Sequence, residues 1–134
     1  MTPQTNTLFD AARAAQARAY VPYSRFRVGA AIRATNGMVY AGCNVENAAY
    51  PVGNCAEASA IAAMVMAGET RILEALVVGD GAGLCTPCGG CRQRLREFGA
   101  PGVKVHIADA DRIKRTFTLD ELLPFSFGPD NLTG

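Results

Sequence analysis

The sequence predicts an α/β fold with a mixed sheet and helices on both of its faces. Segments of helical and strand-type periodicity alternate along most of the chain. An Asn36-Gly37 pair separates two apolar runs, a strong hairpin signal. In the second half the order is helix, strand, helix, strand, which favours right-handed crossover connections.

Residues 5–19 read as a helix. Leu8, Ala11, Ala12, Ala15 and Ala19 line one face, Thr5 or Asn6 is the expected cap, and Pro22 ends it. Residues 26–34 read as a strand carrying Val28, Ala30 and Ile32. After the Asn36-Gly37 turn, residues 38–44 return beside it. Residues 45–54, with Pro51 and Gly53, are expected to be irregular. A helix over 55–67 follows, stopped at Gly68, with Ile61, Met64 and Val65 facing the core. Leu73, Ala75, Leu76, Val77 and Val78 mark a buried strand over 73–79. A Gly-rich loop leads to a helix over 88–98, stopped by Gly99. Strands over 103–108 and, more weakly, 116–119 precede a short helix over 120–123. The tail from Pro124 places Phe125 and Phe127 beyond the last expected regular element.

The 134 residues are expected to form one domain, residues 1–134. At 49% hydrophobic residues the chain can bury a core of ordinary size. The formal net charge is +1 and the arginines are scattered, so nothing argues for nucleic acid or an anionic membrane as partner. No run approaches the roughly 20 apolar residues of a membrane span. The Ala-rich start is broken by Arg13, Gln16 and Arg18 and does not read as a signal peptide. A cytoplasmic location is expected. There disulfides are disfavoured, and metal ligation accounts for most of the five cysteines.

Cys55-Ala56-Glu57 and Pro87-Cys88-Gly89-Gly90-Cys91 carry the chemistry. Both open expected helices, whose N-termini favour thiolates. Two helix starts that each follow a strand can meet at one sheet edge, where α/β sheets place ligands. Three thiolates holding one zinc leave a fourth position for water, the arrangement of a catalytic site. Glu57 is then within reach as a proton acceptor. Two other readings stay open. A closed structural zinc site needs a fourth ligand, for which Cys85 is the first candidate and Cys43 and His106 follow. A thiol redox pair of Cys88 and Cys91 leaves Cys55 and Glu57 without a role.

The motifs extend further. They include Pro22-Tyr23-Ser24-Arg25-Phe26-Arg27-Val28-Gly29-Ala30-Ala31, Gly42-Cys43-Asn44-Val45-Glu46-Asn47-Ala48-Ala49-Tyr50, and Leu122-Leu123-Pro124-Phe125-Ser126-Phe127-Gly128-Pro129. With the two cysteine motifs, in this order and spacing, the chain resembles the small homotetrameric zinc-dependent cytidine deaminases over nearly its whole length. The resemblance implies a three-layer α/β/α cytidine-deaminase-like fold with a mixed five-stranded sheet. It implies one Zn2+ per chain held by Cys55, Cys88 and Cys91. The implied reaction is hydrolytic deamination of cytidine and 2'-deoxycytidine in pyrimidine salvage, with zinc-activated hydroxide attacking C4 and Glu57 shuttling protons.

The resemblance also implies substrate contacts. Asn44 and Glu46 match a ribose-binding pair, two apart on an extended segment and so facing one way. Phe26 matches an aromatic that packs against the nucleoside, and Ala56 a backbone contact to the base edge. Phe127 matches a tail aromatic that stacks on the base from another subunit. Tyr50 matches a residue contributed across a subunit interface, so active sites would be shared within a homotetramer. One position departs from the pattern: many members carry arginine directly after the glutamate, where this chain has Ala58. Arg92 is the expected substitute for that charge beside the thiolates. The alternatives are a deaminase of a cytosine nucleotide or a blasticidin-type compound, and a non-catalytic zinc module. Glu46 near the sugar would repel a phosphate, and no Gly-rich phosphate cradle is present.

Overall fold

The computed structural model describes residues 1–133; Gly134, the end of the expected domain, lies outside the described residues. Helix α1, Pro3–Gln16, starts earlier than expected because Thr2 caps it: its hydroxyl oxygen accepts the Thr5 N–H at 3.1 Å. Pro3 suits the first helical position, where its missing N–H costs nothing. The helix also stops short of Ala19. Tyr20 is drawn into a bridge with Val45, its N–H donating to the Asn44 carbonyl at 3.0 Å.

Strands β1, Val28–Ala34, and β2, Val39–Cys43, form the expected antiparallel hairpin, with Gly37 at φ +83° in its turn. Helix α2, Ala56–Met66, follows an irregular segment that contains a 3-10 turn, Tyr50–Val52. Strand β3, Ile72–Gly79, pairs antiparallel with β1. Helix α3, Gly89–Phe98, connects β3 to β4, Gly99–Ala108, which lies parallel to β3. Strand β5, Ile113–Thr118, closes the sheet antiparallel to β4, giving the order β2-β1-β3-β4-β5. The mixed five-stranded sheet is thus the predicted one. Thr118 and Glu121 form a capping box that ends β5 and starts α4, Leu119–Leu122.

The alternation of side chains along the strands splits the core in two. Leu76 and Val78 of β3 face Leu8 and Ala12 of α1 on one side. Ala75 and Val77 face the other side, in one cluster with Ala60 and Met64 of α2, Leu95 of α3 and Leu119 of α4. Helix α2 lies directly on β2 because Gly42 has no side chain: a Cβ there would fall 2.5 Å from the Ala60 nitrogen. That contact anchors the helix that carries Cys55 and Glu57.

Three expectations about burial and the tail are corrected. Ile61 and Met64 are buried, but Val65 is exposed. It lies at the edge of the apolar face and borders a cleft between α2 and α3. Ile72, not Leu73, is the buried residue at the start of β3. The tail contains a further helix, α5, Pro129–Thr133, so Phe125 and Phe127 lie between two helices rather than beyond the last one.

Candidate active site

Cys55 and Cys88 occupy the N-cap positions of α2 and α3, and neither side chain caps its helix. Cys91 follows in the first turn of α3 and is fully buried. The three sulfurs lie within 4.8 Å of one another, the only such metal-capable group among the described residues. Burial pushes the Cys55 and Cys91 thiols above the ordinary range, and for Cys91 the Glu57 carboxylate and the other two sulfurs add to this. Cys88 is held below it, chiefly because its sulfur accepts the Cys91 backbone N–H. Negative charge on three such sulfurs is unfavourable until a cation joins them. A soft-ligand set of this kind, on two converging helix N-termini, fits zinc.

Among the described residues no fourth protein ligand joins the group. Cys85 is half-buried and packs against Gly79, and its thiol is pushed up to about 11 by burial, with Glu57 and Asp80 adding to it. His106 sits in β4, with Nδ1 at 2.7 Å from the Thr116 hydroxyl and Nε2 at 2.5 Å from Glu74. Cys43 belongs to β2. A closed four-ligand site is therefore not assembled, and the fourth position of a tetrahedral ion stays available.

Glu57 lies in the first turn of α2, only 5% exposed. Burial raises its carboxyl above the usual range, opposed by its own backbone N–H, by Cys91 and by Arg94. A buried carboxyl beside the sulfurs is placed to accept a proton and return it.

A cleft of about 490 Å³ runs from Cys55 past Asn54, Gly53 and Tyr50 to Asn44, Glu46, Tyr23 and Ser24. The expected sugar-binding pair therefore opens onto the same cavity as a thiol of the cluster. Both side chains also hold the neighbouring loop. Asn44 Nδ2 donates to the Phe26 carbonyl at 3.0 Å, and its Oδ1 accepts the Val28 N–H at 2.9 Å. Glu46 Oε1 accepts the backbone N–H groups of Tyr23 and Ser24 at 3.0 and 3.1 Å. Bonds from the Ser24 hydroxyl and these N–H groups hold the Glu46 carboxyl below its ordinary range.

The remaining expected contacts are dispersed. Ala56 is fully buried at the start of α2. The Phe26 ring passes close to Gly79 and Gly81 and does not line the cleft. Arg27, next to it, is fixed by Asp80, which accepts from its N–H at 2.9 Å, and by the buried Gln16, which donates to its carbonyl. Tyr50 is exposed, with its ring edge-on to Tyr23 at 6.0 Å. Phe127 is 58% exposed on the tail, outside the cleft of its own chain.

The Arg92 guanidinium donates to the carbonyls of Pro87 and Leu122, at 2.7 and 2.8 Å, and to the Thr86 hydroxyl. Arg94 is the cation beside the cluster, with Nη1 at 3.4 Å from Cys91 Sγ. A residue three positions after Cys91 shares its helix face and a residue one position after does not, so helical spacing already favours Arg94.

Comparison with known proteins agrees with this geometry. The family described as "Cytidine and deoxycytidylate deaminase zinc-binding region" matches residues 2–107. The chain belongs to this family. The cytidine deaminase of Sporosarcina psychrophila is 39% identical over 126 residues, covering 94% of this chain and 93% of that one. That of Mycobacterium tuberculosis (strain CDC 1551 / Oshkosh) is 44% identical over 128 residues, covering 95% and 92%. The crystal structure of cytidine deaminase from Burkholderia pseudomallei superposes with a TM-score of 0.86 at 41% identity, covering 95% of this chain and all of that one. As a member of this zinc-binding family the chain takes zinc as its cofactor, in keeping with the three-thiol cluster. No helix among the described residues is long and apolar enough to cross a membrane.

Proposed function

We propose that this protein hydrolyses cytidine and 2'-deoxycytidine to uridine and 2'-deoxyuridine with release of ammonia, serving pyrimidine salvage. The observation that carries the reading is the cluster of Cys55, Cys88 and Cys91 with the buried Glu57 beside it, whose Cys55 also lines the cleft of Asn44 and Glu46. Zinc, when held by the three thiolates, supplies a Lewis acid that lowers the pKa of water to about 7 and makes it nucleophilic near neutrality.

The chain's own groups do the rest. Glu57 accepts a proton from the attacking water and delivers it to N3 of the pyrimidine. The water oxygen bonds to C4, and the C4–N bond then breaks. Glu57 carries the second proton to the departing amine, so the same carboxylate works as base and then as acid. Asn44 and Glu46 hold the sugar hydroxyls. The negative charge of Glu46 disfavours a nucleotide phosphate at that end. The Ala56 backbone orients the base edge, and the partly exposed Phe26 packs against the nucleoside from outside the lining of the cleft.

Phe127 is exposed outside the cleft of its own chain, and Tyr50, at the cleft's edge, is largely exposed as well. Phe125, Met66 and Val52 are further exposed apolar residues. These features support a homotetramer in which Phe127 stacks on the base bound by a neighbour and Tyr50 crosses the interface. The protein works in the cytoplasm as a single domain. Zinc-loaded protein should release ammonia from cytidine as the near-ultraviolet absorbance of cytosine falls. No turnover of either nucleoside would overturn the reading. Turnover of cytidine monophosphate in preference to cytidine would shift it to the nucleotide.

A further inference from the structure

We propose that Arg94 is the positioning residue that balances the charge of the thiolate centre and so sets the acidity of the metal held there. Three thiolates and one divalent ion leave one negative charge in excess, which weakens the metal as a Lewis acid. Position 58, directly after Glu57, holds an uncharged alanine. Arg94 supplies the missing cation from the other helix. Its Nη1 lies 3.4 Å from the sulfur of the fully buried Cys91. A charge-assisted bond to a thiolate withdraws electron density from the sulfur.

Two small residues make room for this reach. A Cβ at Gly90 would fall 3.3 Å from Arg94 Nη1. Ala58 lines the same cleft between α2 and α3 as Arg94. The other two sulfurs, within 4.8 Å of Cys91, lie in the field of the same guanidinium, and so does Glu57. Arg92 instead bonds Pro87, Leu122 and Thr86.

The inference rests on the three-thiolate reading of the metal site, and cobalt(II) in place of zinc separates the two. Cobalt-loaded native protein should show sulfur-to-cobalt charge-transfer absorption. If no such band forms, the thiolate site itself is refuted. With the band present, Arg94→Gln should move it to longer wavelength, because the sulfur lone pairs rise in energy. In the zinc form the same substitution should lower kcat about tenfold with KM little changed, the scale of one lost charge-assisted hydrogen bond. Arg94→Lys should keep most of the native band position and rate. Adding Ala58→Arg to Arg94→Gln should restore both. A band that Arg94→Gln leaves unmoved, or a rate that stays at the native level, overturns the assignment.

Discussion

The thiol cluster and the aromatic tail are built in opposite ways. Cys91 and Glu57 are buried in the first turns of two helices that pack on one sheet, and their positions follow from the core of a single chain. Phe127 is exposed, and two side chains of α3 hold its segment in place: Gln93 donates to its carbonyl at 2.8 Å, and Arg96 bonds Ser126 and Asp130 at 2.9 and 2.8 Å. The first region is complete within the protomer. The second presents an aromatic that its own cleft does not use. On the proposed reading, proton transfer and metal binding depend on the fold of one chain, whereas closure over the base depends on association.

The sharpest way to break this comparison is at Glu57. Glu57→Gln should retain zinc and the fold but lower kcat by about 10²–10⁴, the usual share of a general acid–base group. Metal content and turnover measured on one sample check this, and a retained rate would remove Glu57 from its role. Phe127→Ala comes next. Loss of base stacking worth about 1–3 kcal/mol should lower kcat/KM about tenfold or more, mainly through KM, with zinc content unchanged. Arg96→Ala should have a smaller effect in the same direction, a rise in KM of a few fold, because Gln93 still holds the Phe127 carbonyl. Steady-state kinetics on both variants place them in this order or refute it.

The smallest effect concerns the loop that carries Phe26. Asp80 is held below the ordinary carboxylate range, first by the Arg27 backbone N–H and then by the Arg27 side chain, against the opposing effect of burial. A lowered native pKa contributes stability that is present above the unfolded value of about 3.9 and is lost as pH falls through the native pKa. Asp80→Asn should therefore lower Tm at pH 7, and the gap to the native protein should close as pH drops below about 4. Thermal melts across that range test it. A gap that stays constant would assign the effect to packing.

Much of the inner half of the site was legible in the sequence. Cys55, Glu57, Cys88 and Cys91 sit where strands pass into helices, and local spacing is enough to bring them together. The hairpin at Gly37 was legible for the same reason, since its turn chemistry is local. What escaped depends on distant partners. Gln16 is buried because the Arg27 carbonyl and Asp80, 64 positions away, accept its amide hydrogens. The end of α1 is set by the bridge between Tyr20 and Val45. Two misses had local signals. Thr118 and Glu121 have capping-box spacing, and Arg94 lies on the Cys91 face of its helix. The tail helix had Pro129 near its start, but nothing in the sequence says that Arg96 holds the segment before it.

The division of the site between protomers can be tested by mixing two defective proteins. Glu57→Gln chains lack the proton shuttle but carry Phe127; Phe127→Ala chains have the reverse defect. Co-assembled after reversible dissociation and assayed at low cytidine, the mixture should exceed the sum of the two separate activities. Sites with an intact Glu57 then receive the aromatic from a Glu57→Gln neighbour. A mixture that never rises above that sum, in a preparation shown to contain mixed assemblies, would place Phe127 outside the neighbour's active site and contradict the account.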